Sequence, residues 1–477
     1  MHLTPGPMAT GPMLQTSGMS VERGDRTVLN AVDFELSVGE VVALTGENGS
    51  GKTTMLEACA GILPLSEGAV NRKSDSGKMQ VVRDYEGRRN RPPPTGLTLQ
   101  RDGICGEETV EERFEVALRV TGRELSEPTT SDILRDWGLE HRRADRVAQL
   151  SGGQRRRLAV LCGLAPAALS AESRVVFLDE PSEGLDRAGK GLLIGWLRAL
   201  AEHGHAVMVA THDQAVIDCC DREMEVTNGA LNESNGNSEG TPSDLPSPLP
   251  STEQSTHRAL IRWAIKMETR NPLDTIGRAA PALVALLLSY ALMGGIDMTH
   301  VGNDLVAALV LAPAFITAII SPALASRLAE ERCGAWWNAM IGPGVRQTYS
   351  FLGASIVLPL PITYLAWVVL IDPADFVHHS EITRWLWLPA VIMIDIAAAA
   401  AALHLLVADL RRASAVTASL LLLVLVWPFL QLTDALSLMM TDGMSFGVNL
   451  GDPLISCLIA SVISVVVWAV AVLLPDA

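Results

Sequence analysis

Nine residues constrain this chain more than any other stretch: Gly46-Glu47-Asn48-Gly49-Ser50-Gly51-Lys52-Thr53-Thr54. They read G-x-x-x-x-G-K-[ST], with the apolar run Val41 to Thr45 ahead and the helix-compatible Thr54-Met55-Leu56-Glu57-Ala58 behind. Strand, glycine loop and helix in that order are what a phosphate cradle requires. Gly46, Gly49 and Gly51 let the backbone curl until the N–H groups around Asn48, Ser50 and Thr54 converge on one anion, and the helix points its positive end at the same place. Lys52 is placed to reach the β- and γ-phosphates of a nucleotide, and the Thr53 hydroxyl to ligate Mg2+. The rest of the chain has to say what the nucleotide is used for.

At 477 residues the chain is too long for one core, which implies two or more domains. Residues 1–255 hold 26 of the 37 Lys and Arg and 38 of the 53 Asp and Glu, a net charge of −12, while residues 256–477 carry only −4. The acidic first half argues against nucleic acid as a partner. The second half is charge-poor and apolar, which is membrane composition. Seven cysteines show no C-x-x-C and no metal-ligand spacing, so neither a disulfide framework nor a metal cage is expected.

Residues 1–18 are expected to form a disordered extension. Strands are predicted over Val28 to Leu36 and Val41 to Thr45, an exposed loop over 71–95 ending in Arg91-Pro92-Pro93-Pro94, and a short strand at Leu97 to Gln100. Residues 108–165 read as helical and contain Leu150-Ser151-Gly152-Gly153-Gln154, followed by Arg155 to Arg157, a basic run of the kind that forms a solvated helix face. Arg174 to Pro181 is an apolar strand ending in Asp179 and Glu180, with Asp186 close behind. Ala206 to Thr211 is another buried strand, delivering His212. Alternating strands and helices mean an α/β domain with a mainly parallel sheet and its ligand at the strand carboxyl ends.

The order P-loop, lone Gln, LSGGQ, strand-Asp-Glu, Leu-Asp, strand-His resembles the ATPase of ABC transporters over residues 19–231. The resemblance implies ATP and Mg2+ as cofactors and assigns roles. Asp179 would hold Mg2+ through water with Thr53, and Glu180 would polarise the attacking water. His212 would contact the γ-phosphate, and Gln100 would sense Mg2+ and couple the site to a transmembrane part. With Lys52 these form the implied catalytic set. Ser151, Gly152, Gly153 and Gln154 would bind the γ-phosphate held by a second copy of the chain, with Asp186 at the same seam. The family's adenine-stacking aromatic is replaced by Arg23, whose guanidinium plane can also stack on a base.

Residues 232–255 read as a disordered tether, and residues 256–278 as an amphipathic helix on the inner leaflet, with Arg258, Arg262, Lys266, Arg270 and Arg278 among apolar residues. Six apolar spans follow, near 279–294, 305–325, 348–371, 385–408, 413–433 and 453–474. The expected architecture is therefore an α/β P-loop ABC ATPase domain followed by an all-α six-helix transmembrane domain over 256–477. Arginines concentrate on one side, which predicts a multi-pass protein of the cell membrane with lipid around its spans and both termini cytoplasmic.

The loop 326–347, with Trp336 and Trp337, is a candidate coupling segment that docks near Gln100, though an interfacial aromatic belt would use the same two residues. Asp395 falls inside the fourth span and must face a partner or a cavity, and His404 lies half a turn out of phase with it. This loop, the Leu405 to Leu430 region and Val21 to Thr27 resemble the two subunits, fused here, of the haem exporter of cytochrome c maturation. Haem and haem-handling maturation proteins are then the implied partners. A general exporter of drugs or lipids, or an ATP-driven membrane assembly factor that transports nothing, would use the same framework.

Overall fold

The computed structural model describes residues 11–251 apart from Arg91 and Leu125, 256–295, 302–319, 327–341 apart from Ala329, 359–370, 429–437 and 453–473, with scattered positions between 353 and 426. The chain forms two compact units, Met1–Leu260 with Arg327–Arg346, and Ile261–Ser326 with Gln347–Ala477.

In chain order the first unit runs β1 (Pro12–Arg23), β2 (Arg26–Ser37), β3 (Val41–Thr45), α1 (Lys52–Cys59), β4 (Glu67–Lys73), β5 (Met79–Asp84), β6 (Thr95–Thr98), α2 (Val110–Val120), α3 (Glu127–Asp136), α4 (Gly152–Ala168), β7 (Val175–Asp179), α5 (Arg187–Glu202), β8 (Ala206–Ala210), α6 (Gln214–Asp218), β9 (Arg222–Thr227) and β10 (Ala230–Asn235). Two sheets result. One is antiparallel, in the order β2-β1-β4-β5, and the other has six strands in the order β10-β9-β3-β8-β7-β6. Within the larger sheet β9, β3, β8, β7 and β6 are parallel, and β10 closes a hairpin on β9.

Every residue of β3, β7 and β8 is buried, as their unbroken apolar runs require of strands covered on both faces. Because these strands run the same way, the loops at their carboxyl ends meet along one edge of the sheet. Helix α4 is drawn tightly onto β6 through Gly163 and Gly96. A Cβ at Gly96 would stand 1.9 Å from the Gly163 carbonyl oxygen, and one at Gly163 2.1 Å from Thr98 Oγ1, so neither position admits a side chain.

The structure corrects three expectations. Residues 12–18 are not an extension but the first half of β1, which pairs with both β2 and β4. The loop predicted over 71–95 is largely a hairpin: Val70 and Arg72 of β4 and Val82, Arg83 and Asp84 of β5 are buried, and Asp75-Ser76-Gly77 turns between the strands. The tether begins as β10 and continues to residue 251 along the first unit. Ser243 N–H donates to the Gly195 carbonyl at 3.0 Å, Leu249 N–H donates to the Leu169 carbonyl at 2.9 Å, and the Arg123 guanidinium reaches the Leu249 carbonyl. Proline and serine there make a strap rather than a coil because the Gly195 carbonyl of α5 and the Leu169 carbonyl just past α4 accept its backbone N–H groups.

Beyond residue 255 come α7 (Thr256–Thr269), α8 (Pro272–Gly295), α9 (Asn303–Ile319), α10 (Cys333–Ile341), α11 (Pro359–Leu370) and α12 (Pro453–Leu473), with α10 belonging to the first unit. The amphipathic reading of α7 is matched by its burial. Arg258, Arg262 and Lys266 are exposed, while Leu260, Trp263, Ala264 and Met267 are buried.

In the second unit Val306, Val310, Ala366, Leu432, Leu436 and Ala460 share one apolar core, while Leu287, Val368 and Val465 are each more than 60 % exposed. Among the described residues no helix is long and apolar enough to cross a membrane. Most of the fourth and fifth expected spans, and His404, lie outside the described residues. Asp395 has the partner expected of it, accepting a hydrogen bond from Ser461 Oγ at 2.9 Å.

At the opposite end of the first unit's larger sheet from the carboxyl-end loops, His205 precedes β8, and its Nδ1 accepts the Arg174 N–H at 3.1 Å. Burial pushes its pKa down to about 4. The unfolded chain, with an imidazole near its ordinary value, therefore binds the proton first as pH falls, so this stability is complete above about pH 6.5 and is lost towards pH 4. We expect His205 to account for about 2 kcal/mol of the loss between pH 7 and pH 5. Urea titration of wild type and His205→Gln at the two pH values measures it, and equal losses in both would refute the assignment.

Candidate functional site

The carboxyl edge of the sheet carries the site. After β3 the chain turns through Gly46, at φ 128°, where a Cβ would lie 2.6 Å from the Val226 carbonyl oxygen, and reaches α1 through Gly51, at φ 119°. Lys52 opens α1 and folds its ammonium back over the loop, donating to the Gly46 carbonyl at 2.7 Å and the Glu47 carbonyl at 3.1 Å. A cleft of about 470 Å3 opens here. Asn48, Gly49, Gly51, Lys52, Thr53 and Thr54 line it, joined by Arg23, Val28, Gln100 and Glu180. Gly46 and Ser50 shape the loop behind these residues. The expected cradle, the lone amide and the arginine at the aromatic's place are thus brought to one cavity.

At the end of β7 Asp179 is buried, and its Oδ2 has no hydrogen-bond partner. Burial pushes its carboxyl up to about 6, against the opposing pull of the Thr53 hydroxyl. A buried carboxylate oxygen left open beside a threonine hydroxyl is a donor set that fits a hard divalent cation keeping most of its waters. Among the described residues no group of three or more His, Cys, Asp and Glu could hold a metal ion. Glu180 follows in a left-handed conformation, φ 47°, which swings its side chain out of the strand direction and towards the cleft. Its Oε2 lies 2.9 Å from Nδ1 of His212, delivered by β8, and this carboxylate raises the imidazole's pKa.

Ser151 to Gln154 are absent from the cleft's lining. They form the amino end of α4, where the Ser151 hydroxyl accepts the Gln154 N–H at 3.3 Å and the Gln154 side chain accepts the Ser151 N–H at 3.1 Å. Ser151 and Gly152 are exposed, so this helix terminus, with its free N–H groups, faces outward. Asp186 caps α5 by accepting the Gly189 N–H at 2.9 Å and pairs with Arg157 at 2.7 Å, tying it to α4. That backbone bond and Arg157 hold its carboxyl below the usual range.

The basic run is not a solvated face. Arg156 is buried and donates to the carbonyls of Leu99 at 2.9 Å and Glu180 at 2.7 Å, to the Asp179 carbonyl, and to Asp102 at 2.8 Å. It binds the exits of β6 and β7 together. The sequence carries a faint signal for it, since Arg156, the fifth residue of α4, has the buried Ala159 and Val160 three and four positions on.

Residues 330–341 pack on the first unit beside Gln100. Gly103 N–H donates to the Glu331 carbonyl at 3.0 Å, Gly106 N–H to Glu330 Oε1 at 3.2 Å, and Trp336 Nε1 to the Leu97 carbonyl at 3.3 Å. Trp336 and Trp337 are buried edge to face with ring centroids 5.2 Å apart, and the Arg113 guanidinium lies 3.8 Å over the Trp336 ring. The two tryptophans are an anchor in the protein, not an interfacial belt.

Comparison with known proteins bears on the first unit. Residues 29–183 match the family model described as ABC transporter. A putative ABC transporter ATP-binding protein of Streptomyces avermitilis is 35% identical over 44% of this chain and 35% of its own length. An Fe(3+) ions import ATP-binding protein of the same organism is 33% identical over 46% of this chain and 62% of its own length. A sulfate/thiosulfate import ATP-binding protein of Nocardia farcinica is 32% identical over 46% and 64%. The chain thus spans between about a third and two thirds of these relatives. A bacterial ABC transporter cassette solved as a dimer is 25% identical, covering 48% of this chain and all of that one, with a TM-score of 0.40.

Removing Arg156 strands several buried carbonyls at once and leaves Asp102 to Arg155 alone. Arg156→Met is expected to lower the unfolding free energy by about 3 kcal/mol, whereas Arg155→Ala, whose partly exposed side chain also pairs with Asp102, should cost about 1 kcal/mol or less. Chemical denaturation of the two variants side by side checks the contrast.

Proposed function

We propose that this chain, whose first unit carries an ABC transporter ATP-binding domain, hydrolyses ATP in a pair of copies to drive an event in a membrane. What carries the reading is the convergence of the 46–51 loop, Asp179, Glu180 and His212 on one edge of the sheet, with residues 330–341 packed against the same edge. The cradle and Lys52 bind and orient the triphosphate, Lys52 exchanging its two carbonyl partners for phosphate oxygens. Asp179 and Thr53 would hold Mg2+, which when bound neutralises charge on the phosphates. Glu180 accepts the proton of the attacking water, and His212 fixes the carboxylate's position. Gln100, in the cleft wall beside the packed 330–341 segment, carries the state of the site outward.

The outward-facing amino end of α4 is an anion site without an anion of its own chain, which supports completion of each cleft by Ser151 to Gln154 of a second copy. A membrane role for the second unit is supported by its composition and by the large apolar side chains exposed on its helices. The arginine asymmetry of its loops supports a multi-pass arrangement with both termini cytoplasmic. As the membrane event we propose haem movement, or haem release from its carrier, in c-type cytochrome maturation. The support is the resemblance of Val21 to Thr27 and of the 326–347 and Leu405 to Leu430 regions to that exporter's subunits.

Glu180→Gln is expected to lower ATP turnover by at least 100-fold while ATP binding persists and two copies remain associated in its presence. Phosphate release and size-exclusion measurements check this, and unchanged turnover would remove Glu180 from its role. Deletion in the host is expected to abolish covalent haem attachment to cytochromes. Intact attachment would overturn the haem reading and leave export of other compounds, tested by drug sensitivity, or membrane-complex remodelling.

A further inference from the structure

We propose that Glu57 is a positioning residue shared by the nucleotide cleft and the packed 330–341 segment, so that nucleotide occupancy and packing of that segment strengthen each other. Glu57 sits in α1 one turn beyond Thr53 and is fully buried. Each of its oxygens is taken by a different arginine. Oε2 accepts from Arg23 at 2.9 Å, and Oε1 from Arg332. A buried carboxylate needs at least one cation, so loss of either arginine places the whole demand on the other.

The two arginines answer to different masters. Arg23 is about half exposed and lines the cleft, where a nucleotide offers its planar guanidinium a base to stack on and anions to pair with. Arg332 belongs to the 330–341 segment and, with Glu331, holds a left-handed backbone, φ 62° and 46°, that the surrounding hydrogen bonds enforce. When Arg23 turns to nucleotide, Glu57 rests on Arg332 alone and grips the segment harder. When Arg332 leaves, Glu57 holds Arg23 back from the cleft. Thermodynamic reciprocity makes the two effects equal in size.

The inference rests on nucleotide occupying the cleft, and the test separates the two. ADP affinity of the full chain is measured by calorimetry for wild type, Arg332→Gln, Glu57→Gln and the double variant. Arg332→Gln is expected to raise the ADP Kd about fivefold or more, whereas in the Glu57→Gln background the same change moves it less than twofold. An equal shift in both backgrounds, or none in wild type, overturns the coupling. Hydrogen exchange gives an independent reading: ADP is expected to slow amides 330–336 in wild type but not in Glu57→Gln, and equal slowing in both overturns the proposal. Lys52→Ala should abolish ADP binding in every background. ADP binding that survives it would instead refute the cleft as the nucleotide site.

Discussion

The geometry of the sheet edge that carries the cleft depends on one buried guanidinium. Arg156 enters from α4 and satisfies backbone carbonyls at the exits of β6 and β7, together with Asp102. Parallel strands are joined by their ladders but not at their tips, where the chain must diverge to make loops. A planar fork with five donors suits that place, because it can bridge several carbonyls at fixed angles where an ammonium could not. The position of Asp179 and Glu180 relative to Gln100 is therefore set by a residue of the same helix whose amino end carries Ser151 to Gln154. Any shift of α4 therefore acts directly on the backbone of Asp179 and Glu180.

This dependence explains what the sequence did and did not disclose. The cradle was legible because glycine spacing, strand and helix follow one another without a break between Val41 and Cys59, and Asp179, Glu180 and His212 were legible because each closely follows a short apolar run. Arg156 was hidden inside Arg155-Arg156-Arg157, where the average meaning of a basic run prevails over the one member that faces inward. The β4–β5 hairpin was hidden for the opposite reason: its polar residues read as loop, yet Arg72 and Arg83 are buried, and Arg83 donates to the Ile62 carbonyl at 3.0 Å while Arg72 lies over the Phe177 ring. Arginines that serve as core residues defeat a reading based on polarity. The strap over 236–251 is held by backbone bonds and by the Arg123 guanidinium on the Leu249 carbonyl, which composition does not report.

Arg23 gains a meaning that its place in the sequence could not supply. Taken alone, it stands where an aromatic ring would stack on adenine. In the fold it faces the cleft and holds Glu57 at the same time, so the substitution of a cation for an aromatic residue is matched by a buried acid on α1. A neutral ring could bind the base, but it could not exchange partners with Arg332.

Magnitudes decide which contacts hold residues 330–341 and which can vary during a cycle. Trp336 and Trp337 are at most 1 % exposed, and burying two such rings contributes on the order of 4 kcal/mol each. The ion pair of Arg327 with Glu107, 3.5 Å long and partly exposed, contributes about 1 kcal/mol or less. The aromatic pair is thus the pivot, fixed by packing that a polar ligand elsewhere cannot outweigh. The arginine contacts on either side are weak enough to be redistributed by a nucleotide, and strong enough, at the fully buried Glu57, to bias how the segment lies about that pivot. A segment clamped by its rings and steered by its charges can transmit a change in the cleft without leaving its seat.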